Sequence, residues 1–137
     1  MNDIPIFEEI DLMLLRKSRS DNMKEPMEIT LKRHEEQLQE LCIKTTGHPV
    51  KEENIYREIV SGGENIKDRP DFLRLLRRLE NGNIKRVWCV DPERLSRSGI
   101  YGAGDVLKVF DITNTLIATL DQIYDLKNPM DKKYLEM

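Results

Sequence analysis

Residues Leu12–Ser20 read Leu-Met-Leu-Leu-Arg-Lys-Ser-Arg-Ser. Four consecutive apolar residues, Leu12 to Leu15, have the composition of a short buried strand. The chain then turns polar at once, so Arg16, Lys17, Ser18, Arg19 and Ser20 fall where a strand leaves its sheet. In open α/β sheets, ligands gather beyond the carboxyl ends of the strands. A serine hydroxyl placed there among guanidinium and ammonium groups suits an anion. The cations can neutralise a phosphate and stabilise the charge that develops as the hydroxyl attacks it. Taken alone, the same residues would serve as a helix cap in a basic loop. A second basic segment further along the chain favours chemistry.

Working outward, residues 1–10 form a short mixed lead-in, expected to be flexible. After the Arg/Ser run comes a polar loop, Asp21-Asn22-Met23-Lys24-Glu25-Pro26, whose proline is tolerated at a helix start. Met27, Leu31, His34, Leu38 and Leu41 recur at helical spacing, and Thr45-Thr46-Gly47 followed by His48-Pro49 marks the exit. His34 lies on the apolar stripe, where a partly buried histidine hydrogen-bonded inside the domain is the expected reading and a role lining the site the alternative. Asn54–Val60 reads as a second strand and delivers Ser61-Gly62-Gly63 at its end. Pro70 opens a second helix with a Phe72, Leu75, Leu76, Leu79 stripe, stopped by Asn81-Gly82-Asn83. Ile84–Val90 is a third strand, followed by Asp91-Pro92-Glu93-Arg94-Leu95-Ser96-Arg97. If a helix begins at Glu93, Arg94 and Arg97 share one of its faces. Ala103, Val106, Leu107 and Phe110 mark another helix, Leu116–Leu120 a fourth strand, Ile123-Tyr124 a short edge strand, and the chain turns helical again from Met130. The alternation predicts an α/β fold: a mostly parallel four- to five-stranded sheet with helices on both faces.

At 137 residues the chain has enough material for one domain core and not comfortably two. Charge is unevenly spread. Between Lys67 and Arg97 nine Lys or Arg face five Asp or Glu, a local balance of +4, and the rest of the chain carries −7 of the net −3. A concentrated basic region on an acidic chain is a candidate phosphate-binding face. Neither Cys42 and Cys89 nor His34 and His48 show metal-ligand spacing, so no metal is expected and the cysteines read as buried free thiols. There is no glycine-rich phosphate loop and no dinucleotide fingerprint, so no cofactor is expected either. No apolar run has the length of a membrane span, and the cytoplasm is the expected location.

Three strand ends on one edge of such a sheet deliver Arg16 with Ser18, Ser61 with Asp68 and Arg69, and Glu93 with Arg94 and Arg97. A serine among arginines without a histidine–aspartate pair argues against a hydrolase triad. It suits phosphoryl transfer, where positioning and neutralisation dominate.

On these residues the chain resembles the N-terminal catalytic domain of the serine recombinase (resolvase/invertase) family, specifically that of the large serine recombinases, the phage integrases and mobile-element transposases. The family's tyrosine-x-arginine-x-serine after the first strand corresponds to Leu14, Arg16 and Ser18, with leucine in place of tyrosine. Its serine-glycine corresponds to Ser61-Gly62, its arginine-proline to Arg69-Pro70, and its aspartate-arginine-leucine-x-arginine to Glu93-Arg94-Leu95-Ser96-Arg97. The stretch Tyr124–Asp131 resembles the approach to the family's long interface helix.

The resemblance covers residues 11–137 and implies a resolvase-like fold. It places the catalytic domain at 11–128, with 129–137 as the start of a truncated interface helix. It implies a site-specific DNA recombinase in which Ser18 attacks a DNA phosphodiester and forms a 5′-phosphoserine intermediate, followed by strand exchange and religation, with no metal or cofactor. Arg16, Arg94 and Arg97 are implied to hold the scissile phosphate, Arg69 to support it, and Ser61 to make a further DNA contact. Glu93 aligns with the family's aspartate, and Asp91 lies two positions earlier; either can orient Arg94 or handle the leaving-group proton. His34 matches a position that carries a polar site residue in smaller relatives. The implied partners are double-stranded DNA attachment sites and further copies of the chain, as a homodimer and a synaptic homotetramer. Two alternatives share the residues: a nuclease or other phosphate-transfer enzyme on the same sheet, and a non-catalytic DNA-binding or assembly module.

Overall fold

The apolar run at Leu12–Leu15 is fully buried because it lies in the middle of a sheet covered on both faces. The structure, a computed structural model, describes residues 10–17, 21–58, 70–95 and 103–136. Strand β1 spans Ile10–Arg16 and is followed by helix α1, Met27–Thr46. Then come β2 (Ile55–Glu58), α2 (Pro70–Glu80), β3 (Ile84–Trp88), α3 (Ala103–Thr113), β4 (Leu116–Ala118), β5 (Ile123–Tyr124) and α4 (Pro129–Glu136). The sheet order is β2-β1-β3-β4-β5, parallel throughout except for the antiparallel β4–β5 pair. The expected mostly parallel sheet with helices on both faces is the observed one.

Alternation along β1 separates the two halves of the core. Leu12 and Leu14 face the side covered by α2 and α3, joining Phe72, Leu75, Leu79, Val106 and Phe110. Met13 and Leu15 face α1 and join Leu31, Leu38, Cys42 and Trp88. The α2 stripe of Phe72, Leu75, Leu76 and Leu79 is buried as its spacing predicts. On α1 the inward side also takes Thr30, His34 and Cys42, so this helix packs through a more polar face. Both cysteines are free and buried. Burial pushes the Cys42 thiol up to about 11, so neither its environment nor its pKa favours nucleophilic use.

The chain's punctuation falls where the residue types require it. Gly47, at φ 84°, ends α1 in the left-handed region and donates its N–H to the Ile43 carbonyl at 2.8 Å. Gly82 (φ 90°) and Asn83 (φ 68°) turn the chain from α2 into β3, and Ile10 N–H of β1 donates to the Asn83 carbonyl at 2.9 Å.

The strands differ in extent from the sequence expectation. Asn54 belongs to a 3₁₀ turn, Glu52–Asn54, rather than to the second strand, because its N–H bonds back to the Lys51 carbonyl at 2.8 Å. The third strand stops at Trp88 and the fourth at Ala118, where Thr119 begins a turn by accepting and donating hydrogen bonds around Gln122. Pro92–Arg94 form a single 3₁₀ turn, closed by Leu95 N–H on the Pro92 carbonyl at 3.1 Å, and Arg97, expected on the same helical face as Arg94, lies outside the described residues.

Because Phe72 is completely buried between α2 and the sheet, Phe72→Ala is expected to cost about 3–5 kcal/mol. Ile112→Ala, on an exposed side chain, is expected to change stability by less than about 0.5 kcal/mol. Urea denaturation midpoints at constant slope measure both.

Candidate active site at the switch point of the sheet

The chain leaves β1 to one side for β2 and returns past it to β3, so the strand order reverses between β1 and β3. That is the place where an open α/β sheet forms a crevice beyond its carboxyl ends. Two polar segments meet there: the end of β1 and the turn after β3.

Arg16, the last residue of β1, is 3 % exposed. Its Nη1 donates to the carbonyls of Glu93 and Arg94 at 3.5 and 3.4 Å. Arg94 returns the contact, with its own Nη1 donating to the Arg16 carbonyl at 3.0 Å. The turn that carries Arg94 is shaped locally. Pro92 restricts the backbone at its first position, Arg94 N–H bonds to the Asp91 carbonyl at 3.2 Å, and Leu95 anchors the far side in the core. These constraints turn the Arg94 side chain back toward the end of β1.

The Arg94 guanidinium is then enclosed by carboxylates. Asp21 takes it in a two-oxygen grip, 2.5 Å from Nη1 and 3.2 Å from Nη2, and Asp91 accepts from Nε at 3.3 Å. Burial opposes the charge, but the Asp21 hydrogen bonds and the Asp91 charge outweigh it and raise the Arg94 pKa. His34, on α1, faces Asp21 Oδ1 through Nε2 at 3.5 Å. Its burial lowers the imidazole pKa, against the pull of Asp21.

Asp21 is itself held by a well-braced loop. Lys17 Nζ donates to the Glu25 carbonyl. The Glu25 side chain accepts from Thr30 Oγ1 at 2.6 Å, and both its oxygens accept from the single Nη1 of Arg33 at 2.8 and 2.7 Å. The Arg33 hydrogen bond is the largest influence holding the Glu25 carboxyl below its usual range. Both described flanks of the Ser18 segment are therefore tied down, Lys17 to Glu25 and Asp21 to Arg94.

Of the residues singled out in the sequence, Arg16, Arg94, His34, Asp91 and Glu93 come together here. Asp91 is the one of the two candidate acids whose carboxylate touches Arg94; Glu93 lends its backbone carbonyl to Arg16, and its side chain is exposed. Ser18, Ser61, Arg69 and Arg97 lie outside the described residues. Leu14, where the family resemblance expects tyrosine, is buried in the core on the α2 side. In the sequence Asp21 and Glu25 stand out only as parts of a polar loop. The available signal was charge: arginines delivered to buried strand ends need acids nearby, and Asp21 is the first acid after the Arg/Ser run.

The model of the resolvase N-terminal domain matches residues 13–137. The chain belongs to the resolvase family. It is a serine recombinase catalytic domain, from a family that binds DNA and works in oligomeric assemblies. The N-terminal catalytic domain of TP901-1 integrase is similar in structure, with a TM-score of 0.63 and 21% identity over 91% of this chain and 87% of that one. That likeness shows the fold this resolvase domain shares. Among the described residues no helix is long and apolar enough to cross a membrane.

The His34 environment sets a pH dependence. A folded-state pKa below the ordinary value means that the unfolded chain binds the proton first, so stability falls as pH drops through about 6.5 toward the folded value. Denaturation of the native chain is expected to show this loss between pH 7 and pH 5, with a shallower slope in His34→Gln. An equal slope in the two proteins would remove His34 as its source.

Proposed function

We propose that this resolvase-family domain cleaves and rejoins DNA through Ser18. The hydroxyl oxygen attacks the phosphorus of a backbone phosphodiester, the P–O bond to the 3′ oxygen breaks, and the 3′ hydroxyl leaves with a proton. The 5′ phosphate stays on serine as a phosphodiester. In the reverse attack a 3′ hydroxyl displaces Ser18, and the strand is restored with no external energy source. Arg16, Arg94 and Arg97 neutralise the phosphate in this scheme, and Arg69 supports them. Asp91 or Glu93 orients Arg94, while Ser61 and His34 line the DNA side.

The observation that carries the reading is the reciprocal tie of Arg16 and Arg94 at the switch point, two residues before Ser18 in sequence. It gathers two arginines at the strand edge where the serine segment begins. Permanently charged guanidinium groups with several donors suit a transition state whose charge spreads over phosphate oxygens. Duplex attachment-site DNA is the proposed substrate, acted on by dimers that pair into a synaptic tetramer in the cytoplasm.

The test is trapping of a covalent complex between the protein carrying this domain and candidate attachment-site duplexes, with mass spectrometry of the linked peptide. Ser18→Ala is expected to retain DNA binding and lose the adduct altogether. Arg94→Lys is expected to slow adduct formation about 100- to 1,000-fold with a much smaller change in affinity. A phosphoryl link on another serine, or cleavage that persists in Ser18→Ala, rejects the assignment. Cut strands that never rejoin would point to the nuclease alternative.

A further inference from the structure

Arg94 has five N–H bonds, and its described neighbours engage the whole group. Nε donates to Asp91, and Nη1 donates to both the Arg16 carbonyl and Asp21 Oδ2. Nη2 donates to Asp21 Oδ1 and lies 3.3 Å from Asp91 Oδ2. The side chain is 4 % exposed. In this arrangement a phosphate oxygen can reach the guanidinium only by replacing one of these acceptors.

The acceptors are not equally replaceable. The Arg16 carbonyl belongs to β1, and its strand is fixed by β2 and β3 on either side. Asp91 lies three residues before Arg94 on the same tight turn, so it moves with it. Asp21 comes from a different segment, the loop between β1 and α1, and among the described residues it alone takes the guanidinium with two oxygens. Two parallel N–H···O bonds are also how a guanidinium grips a phosphate. Asp21 thus presents to Arg94 the charge and the oxygen spacing of the proposed ligand. His34 faces Asp21 through Nε2, and its buried Nδ1 has no hydrogen-bond partner among the described residues.

We propose that Asp21 is an internal stand-in for the DNA phosphate: it occupies the Arg94 fork when the site is empty, and the phosphate binds by exchanging with it. The exchange swaps one anion for another, so the buried cation is never left uncompensated. This rests on the reading of Arg94 as a phosphate ligand given above.

The experiment titrates inorganic phosphate into the chain and follows the Arg94 Nε–H signal by nitrogen–proton NMR, assigned by its loss in Arg94→Lys. Asp21→Asn keeps the shape and removes the competing charge. It is expected to bind phosphate about tenfold more tightly than the native chain, since like charges side by side oppose binding, and to shift the Arg94 signal. The gain is expected to vanish in Asp21→Asn/Arg94→Lys. Asp21→Ser provides the same comparison should the asparagine variant fold poorly. Equal or weaker phosphate binding in the Asp21 variants, or a gain that survives loss of Arg94, overturns the proposal. If phosphate moves the Arg94 signal equally in native and variant chains, the stand-in role fails while Arg94 remains a phosphate ligand. If it moves the signal in neither, both fail.

Discussion

A guanidinium taken almost completely out of water dictates what must surround it. Removing a charge from water costs several kcal/mol or more, and the cost is offset only by close, well-directed acceptors. At Arg94 those acceptors are the Asp21 and Asp91 carboxylates and the carbonyl that ends β1. Satisfying one side chain therefore fixes the relative positions of three segments: the strand end, the loop entering α1 and the turn leaving β3. Arg16 strengthens the same junction from the opposite direction through the carbonyls of Glu93 and Arg94. This edge of the sheet is organised by charge compensation as much as by apolar packing.

That arrangement depends on the topology. Because β1 is an interior strand parallel to both neighbours, its carboxyl end and that of β3 emerge side by side. The apolar core below them is divided by β1, whose alternate residues serve opposite faces. A one-residue slip of β1 would send Leu12 and Leu14 to the wrong side and carry Arg16 away from the turn after β3. Packing and site geometry are thus set by one register.

Much of this was legible in the sequence, for identifiable reasons. The Leu12–Leu15 run, the Phe72–Leu79 stripe and the Asn81-Gly82-Asn83 stop each carry local information, and each corresponds to its expected element. The convergence of Arg16 with Arg94 also followed from counting parallel strand ends. Strand limits were less readable: Asn54 is drawn into a turn by its bond to the Lys51 carbonyl, while Val90 and Leu120 lie past the strand ends and still meet through Leu120 N–H on the Val90 carbonyl at 3.4 Å. The Asp21–Arg94 contact was invisible because it joins residues 73 positions apart. Nothing in the local pattern distinguishes an acid that will neutralise a buried cation from one that will face solvent. His34 shows the intermediate case, where its place on the apolar stripe announced burial and its neighbour Asp21 could not be foreseen.

Helix α4 is attached to this body in a different way. No residue in it is fully buried, and its links include the stacked, nearly parallel rings of Tyr124 and Tyr134, 5.6 Å apart, the Asp125 N–H donating to Asp131 Oδ2 at 3.0 Å, Leu135 against the core and Lys132 near Asp111. Tyr124 belongs to β5, a two-residue strand at the margin of the sheet. A force applied along α4 would meet a ring stack, an apolar contact, an exposed hydrogen bond and an exposed ion pair before reaching β4. The helix can therefore tilt or peel while the sheet and the arginine junction stay intact, giving the domain a compliant handle on a stiff body.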